Sequence, residues 1–155
     1  MANNPNQTIP SVSAPIINSF TPQFQSPVFS NPISEIITIT SYPTGARTLV
    51  PSDLLGGFVI QTANTAQTDT LPAASVLLPL VQSPAVGLCL FFTIRNNGTN
   101  TLTIAVGAGG TANTGDTLTI ATLNQRSFML QVTNVGDALG IGATYTLYSL
   151  GSLTY

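Results

Sequence analysis

The chain has 155 residues but only eight charged side chains, three Arg and five acids, with no Lys and no His. That is 5% of the chain, against about 25% in ordinary soluble domains. Without histidine, Ser–His–Asp and Cys–His nucleophile arrangements are excluded, and three scattered arginines give no footprint for a nucleic-acid backbone. Mean hydropathy is +0.36, yet no apolar run approaches the roughly 18 residues that a transmembrane helix needs. The surface must instead be kept soluble by Thr and Asn and by burial against other chains.

Residues 1–34 contain no charge and no glycine. Proline recurs at Pro5, Pro10 and Pro15, then at Pro22, Pro27 and Pro32, two series with a spacing of five. Proline fixes φ, removes a donor and biases the preceding residue to extended geometry, so neither a helix nor a central strand tolerates this density. The segment reads as an extended arm. Between its prolines Ile16, Ile17, Phe20, Phe24, Val28, Phe29 and Ile33 recur as apolar anchors. The opening "MANNPNQT" has neither a basic nor an apolar region of the kind that begins a signal peptide. Sequons at Asn6 and Asn97 carry no meaning without secretion.

From residue 35 to 155 the period becomes two, and a single β domain is predicted there. "EIITITS" (35–41) and "GGFVIQT" (56–62) read as strands on either side of a turn at "YPTGA". "LPAASVLLPLV" (71–81) admits one helical turn after Leu71, since three prolines between 72 and 84 forbid more. In "GLCLFFTIRNN", Leu88, Leu90, Phe92 and Ile94 face one way, with Cys89, Phe91, Thr93 and Arg95 opposite. The Asn-Gly of "NNGTN" predicts a hairpin to the strand "TLTIAVG", which aligns Leu102, Ile104 and Val106. "GAGGTANTGD" reads as a loop and "TLTIAT" as a strand. "SFMLQVTNV" alternates Phe128, Leu130 and Val132 with Met129, Gln131 and Thr133, and "GATYTLYSLGSLTY" closes the chain as a strand. Seven or eight strands with regular turns and no long helix predict an all-β antiparallel sandwich, a single jelly roll of about eight strands.

The phrases "TDTLPAASVLLPLV", "VGLCLFFTIRNNGTNTLTIAVGAGG", "RSFMLQVTNVGDA" and "YTLYSLG" resemble a small single jelly-roll module. It is met in surface and minor capsid proteins of large DNA viruses and phages, a trimeric, tumour-necrosis-factor-like module. The likeness covers about residues 56–155 and contains no catalytic signature. It implies a virion protein made in the host cytoplasm that assembles as a homotrimer or a vertex pentamer beside other capsid proteins. A trimeric receptor- or glycan-binding head, or a fibre tip, is the competing reading. It calls for aromatic or charged loops, and "NNGTN" and "NVGDALGIG" are small and bland.

Candidate chemistry is sparse. General acid–base work asks for His or paired carboxylates, and the five acids are singletons in sequence, so no enzyme activity and no cofactor are expected. "GAGGTA" (107–112) satisfies G-x-G-x-x-A, but that motif needs a following helix, and "NTGDTLTI" reads as turn and strand. Asp116 with Thr114 offers one carboxylate, too few for Ca²⁺. Asp116 and Asp137 read as turn residues, Cys89 as a buried inert thiol, and Arg95 and Arg126 as surface cations at strand borders.

Overall fold

A computed structural model of the chain describes residues 37–154. The predicted arm and all seven of its anchors lie outside the described residues. Within them nine strands form: β1 (Thr38–Tyr42), β2 (Gly57–Gln61), β3 (Gln67–Thr70), β4 (Cys89–Asn96), β5 (Leu102–Ala105), β6 (Gly110–Ala112), β7 (Thr119–Ile120), β8 (Asn124–Asn134) and β9 (Thr144–Thr154). Two sheets result, ordered β1-β2-β4-β8-β9-β6 and β3-β5-β7. The expected all-β class is present, but the pairing is mixed rather than antiparallel. Four of the seven strand pairings run parallel: β1 with β2, β2 with β4, β3 with β5, and β6 with β9.

The parallel pairs belong to a repeated path. From β2 the chain turns a corner at 62–66 into β3 on the other sheet and returns through a helical arc to β4. A second corner at 97–101 then leads into β5, which lies beside β3 as β4 lies beside β2. The first pass is similar, since β1 pairs with β2 and Thr48, past the corner at 43–46, bridges Thr70 in parallel. Three successive coils thus stack on one another. The chain then reverses, with β7 antiparallel to β5, β8 antiparallel to β4, and β9 antiparallel to β8.

This path overturns the hairpin expected at "NNGTN". β4 and β5 lie in different sheets, and the backbone at Gly98 does not take the positive φ of an Asn-Gly hairpin turn. Gly98 is required there for close approach, because a β-carbon would collide with the backbone of Ala63 in the neighbouring corner. The corners are also joined by hydrogen bonds. Asn97 N–H donates to Gln61 O and Asn100 N–H to Ala63 O, both at 2.8 Å.

The return arcs are helical where sequence reading left a strand gap or one turn. α1 (Pro51–Leu55) starts on Pro51, whose fixed φ suits a first turn. Asp53 at its third position accepts Val50 N–H at 2.9 Å, the acidic half of a capping arrangement. α2 (Ala74–Leu77) runs into a 3-10 turn at Leu78–Leu80. Inward residues of both sheets and both helices make one core, including Leu54, Val59, Leu77, Phe92, Ile94, Leu102, Ile104, Ile120, Phe128, Leu130 and Leu147. Each fully buried side chain of this size contributes about 1.5–3 kcal/mol. Phe92 and Phe128 stack across the β4–β8 pair with centroids 5.4 Å apart. The alternation read from "GLCLFFTIRNN" and "SFMLQVTNV" holds over Phe91–Arg95 and Phe128–Thr133, while Leu88, Cys89 and Leu90 are all half-buried.

Candidate interaction surface

Two features could carry function, a buried polar cluster at the first corner and an apolar outer face. The cluster gathers acids that are far apart in sequence. Tyr42 Oη donates to both carboxylate oxygens of Asp53 at 3.0 Å, and the Arg47 guanidinium sits 4.2 Å from the Tyr42 ring centre. Arg47 Nη2 donates to Pro43 O at 2.7 Å and Gly45 O at 3.1 Å, while Arg47 N–H donates to Asp69 Oδ1 at 3.2 Å. Gln61 and Gln67 both donate to Gly45 O, and Gln67 Oε1 accepts Gly45 N–H.

The bonds of Arg47, Gln61, Gln67 and Asp69 hold the backbone of the 43–47 corner, while the Tyr42–Asp53 bond ties the end of β1 to α1. Asp53 and Asp69 are buried. Burial pushes the Asp69 carboxyl above the usual range, partly offset by the Arg47 N–H and charge and by Gln67. Burial likewise raises the Tyr42 phenol, helped by its bond to Asp53. The network is internal but incompletely satisfied, since buried Arg47 Nε, Gln61 Oε1 and Asp69 Oδ2 make no hydrogen bond among the described residues.

A second polar residue, Asn96, performs the same task for the other corners. It is fully buried at the end of β4. Its Oδ1 accepts Ala63 N–H at 3.3 Å and Gly98 N–H at 2.9 Å. Its Nδ2 donates to Asn100 O at 2.7 Å, Ile120 O at 3.1 Å and Ala121 O at 3.2 Å. One amide therefore ties the second corner, the third corner and the reversal between β7 and β8. Periodicity alone marks Asn96 only as the last inward position of its strand.

The remaining singled-out residues are structural too. Asp116 Oδ2 accepts Ser149 N–H at 2.8 Å, and Asp137 Oδ1 accepts Leu139 and Ile141 N–H. Arg126 donates to Thr119 O and to Ser149 Oγ, holding β8 against the β7 turn and β9. Arg95 lies on β4, on its outward face. Cys89 is half-buried rather than buried, with its thiol donating to Gly87 O. The 107–112 segment leads through β6 to a turn, with no helix to receive a phosphate. Among the described residues no group of three or more His, Cys, Asp or Glu is placed to hold a metal, and no helix is long and apolar enough to cross a membrane.

The outer face of the six-stranded sheet is the other feature. Ile39 on β1, Phe91 on β4 and Leu153 on β9 are 62%, 62% and 67% exposed. Phe58 and Ile60, half-buried, stand on the same side of β2, opposite the core residue Val59. A groove of about 360 Å³ opens here, lined by Ile37, Gly57, Phe91, Thr93, Ser127 and Leu150 above the Phe92–Phe128 stack. Among the described residues, none that lines it is charged. On its polar strip Thr93 Oγ1 and Ser127 Oγ share a hydrogen bond of 2.9 Å. No family model, curated protein or solved structure matches the chain.

A parallel sheet is normally covered on both faces, because its crossovers return over them. In this fold α1 and α2, the return arcs of the β1–β2–β4 stack, put Leu54 and Leu77 into the core, and on the other side Ile39 and Phe91 are exposed while Phe58 and Ile60 are half-buried. Ile37, Phe91 and Leu150 share the groove, whereas Leu153 is set apart from β2 by Gln125 and Arg95 in the same register row.

Proposed function

We propose that the chain is a non-enzymatic structural subunit of a virion, which homo-oligomerises and attaches to neighbouring capsid subunits through residues 1–34. The observation that carries the reading is the apolar outer face of β1, β2 and β4, where Ile39 and Phe91, with Ile37 just before β1, are each 62% exposed and Arg95 is the one charged side chain of these three strands. Obligate interfaces are of this kind, a core cut in half. The sparse charge of the whole chain agrees, and Asn96, Gln61, Gln67 and Arg47 direct their hydrogen bonds to backbone at the corners.

The virion setting comes from the resemblance of residues 56–155 to small capsid jelly rolls. The jelly-roll connectivity which that resemblance implies is antiparallel, and the parallel stack of β1, β2 and β4 departs from it. The proposal therefore rests on the surface more than on topology. A trimer is the expected assembly, with a pentamer as the alternative. Peptides of this chain should be recovered in stoichiometric amount from gradient-purified virions, and the purified protein should sediment as a discrete oligomer. A stable monomer at micromolar concentration overturns the reading.

A further inference from the structure

We propose that the 137–141 loop of one copy docks in the outer-face groove of a second copy, with Leu139 and Ile141 as the side chains that enter it. The inference deepens the assembly reading above and rests on it. It names the two surfaces by which copies are joined, one convex and one concave.

The loop is built to hold apolar side chains out in solvent. Leu139 and Ile141 are 74% and 66% exposed. Gly140 between them is buried, and a β-carbon on it would collide with Ser75 O and crowd Pro79. Asp137 Oδ1 accepts the N–H of Leu139 at 2.8 Å and of Ile141 at 2.9 Å. Asp137 N–H donates to Ile141 O at 3.0 Å, and Gly140 N–H donates to Asp137 O at 2.9 Å. The loop is thus shaped before it binds, and little conformational freedom is lost on docking.

The groove answers the loop in its chemistry. Its side chains are apolar apart from Thr93 and Ser127, whose hydroxyls bond each other. The N–H groups of Leu139 and Ile141 are likewise occupied within the loop. Joining the two removes apolar area from water without stranding these polar groups.

The loop and the groove of one copy cannot meet. From Phe128 under the groove to Asn134 at the start of the loop, β8 runs about 20 Å at roughly 3.3 Å per residue. Gly140 is also seated on the arc of α2 and its 3-10 turn, whose Leu77 and Leu78 face the core. A bilayer is another apolar host, but loops that enter one draw on Lys or Arg for the headgroups. The chain has no Lys, and residues 134–144 carry Asp137 as their one charge. A bilayer would also leave the concave groove unfilled, whereas one contact between copies covers both features. Because that contact joins unlike surfaces it is heterologous, and a ring closes it.

Complementation between two full-length double variants tests this. One, Leu139→Asp with Ile141→Asp, spoils the loop, and the other, Phe91→Asp with Leu150→Asp, spoils the groove. All four side chains are more than half exposed, so circular dichroism should be unchanged. Each variant alone is expected to sediment as a monomer. Mixed, the two should form a heterodimer that grows no further, because one intact loop then meets one intact groove. Without any Asp variant, a photoreactive amino acid in place of Leu139 should join two differently tagged copies through peptides containing Phe91 or Leu150. An oligomer that persists in either variant, a mixture that stays monomeric, or cross-links that stay within one copy or map away from the groove each overturn the proposal. Loop-dependent binding to phosphatidylcholine vesicles by a mixture that forms no heterodimer would assign the loop to a membrane instead. A heterodimer formed by a chain that purified virions lack would leave this inference standing and defeat the virion reading alone.

Discussion

Gly98 in the third corner lies flat against the peptide of Ala63 in the second, leaving no room for a β-carbon between them. Overpacking typically costs about 1–3 kcal/mol. Here the obstacle is backbone rather than a side chain that can swing aside. Gly98→Ala is expected to lie at or beyond the upper end of that range, because it must pry two stacked corners apart. Urea unfolding measures it, and a midpoint equal to that of the parent chain refutes the close-approach account.

Asn96→Ala removes the amide that serves the same two corners and the β7–β8 reversal. It leaves two N–H groups and three carbonyls to find other partners, and each unsatisfied buried group costs about 1–3 kcal/mol. A loss of about 3 kcal/mol or more is expected. Asn96→Asp keeps the acceptor for Ala63 and Gly98 but turns a carboxylate toward the carbonyls of Asn100, Ile120 and Ala121. Its loss should be larger at pH 7 than at pH 4, where protonation restores a donor. Equal losses at both pH values would refute the assigned bonds.

These two residues also mark where sequence reading succeeds and where it stops. Strand positions and inward faces were legible, because Phe92, Ile94, Leu102, Ile104, Phe128, Leu130 and Val132 alternate in a period that only a half-buried strand explains. Partner choice was not legible. An Asn-Gly pair between two strands signals a hairpin through local turn chemistry, and nothing local reveals that Gly98 is needed for contact with a corner 35 positions earlier. β6 and α1 were too short to leave a period, although Pro51 followed by Asp53 is a helix-start signal. The outer face was visible as apolar Phe91 opposite Phe92, but its exposure is a tertiary fact.

Asp69 should make stability depend on pH in the direction opposite to most acids. Its carboxyl is raised by burial, so the folded chain binds that proton more tightly than the unfolded chain. The stabilising contribution is full below the unfolded pKa, near 3.9, and is lost as pH rises through the raised folded value. Asp69→Asn should remove this dependence. The stability of the parent relative to the variant is therefore expected to increase as pH falls from 7 toward 4, measured by denaturant midpoints. A difference that is flat, or that shrinks with acid, counts against the burial of Asp69.

Tyr145 joins the start of α2 to the loop after β5. Its Oη donates to Pro72 O at 3.1 Å and accepts Gly107 N–H at 3.0 Å. Tyr145→Phe is expected to cost about 1–3 kcal/mol by stranding those two groups. Burial raises this phenol above its ordinary value, partly offset by the Gly107 N–H. Its contribution is thus present below pH 10 and lost as pH climbs through the raised folded value. The parent should unfold more steeply in alkali than the phenylalanine variant, and parallel alkaline transitions would contradict the assignment.

The order of the coils has a consequence in time. β1, β2 and β4 occupy neighbouring places in the sheet in the same order in which a ribosome releases them. Each can settle on its predecessor without waiting for residues far downstream, as nearest-neighbour architectures permit. β8 and β9 break that convenience. Until they arrive, the far edge of β4 presents unpaired peptide groups, an invitation to other strands. The nascent chain is therefore most exposed to mispairing between the release of Asn96 and that of Asn134.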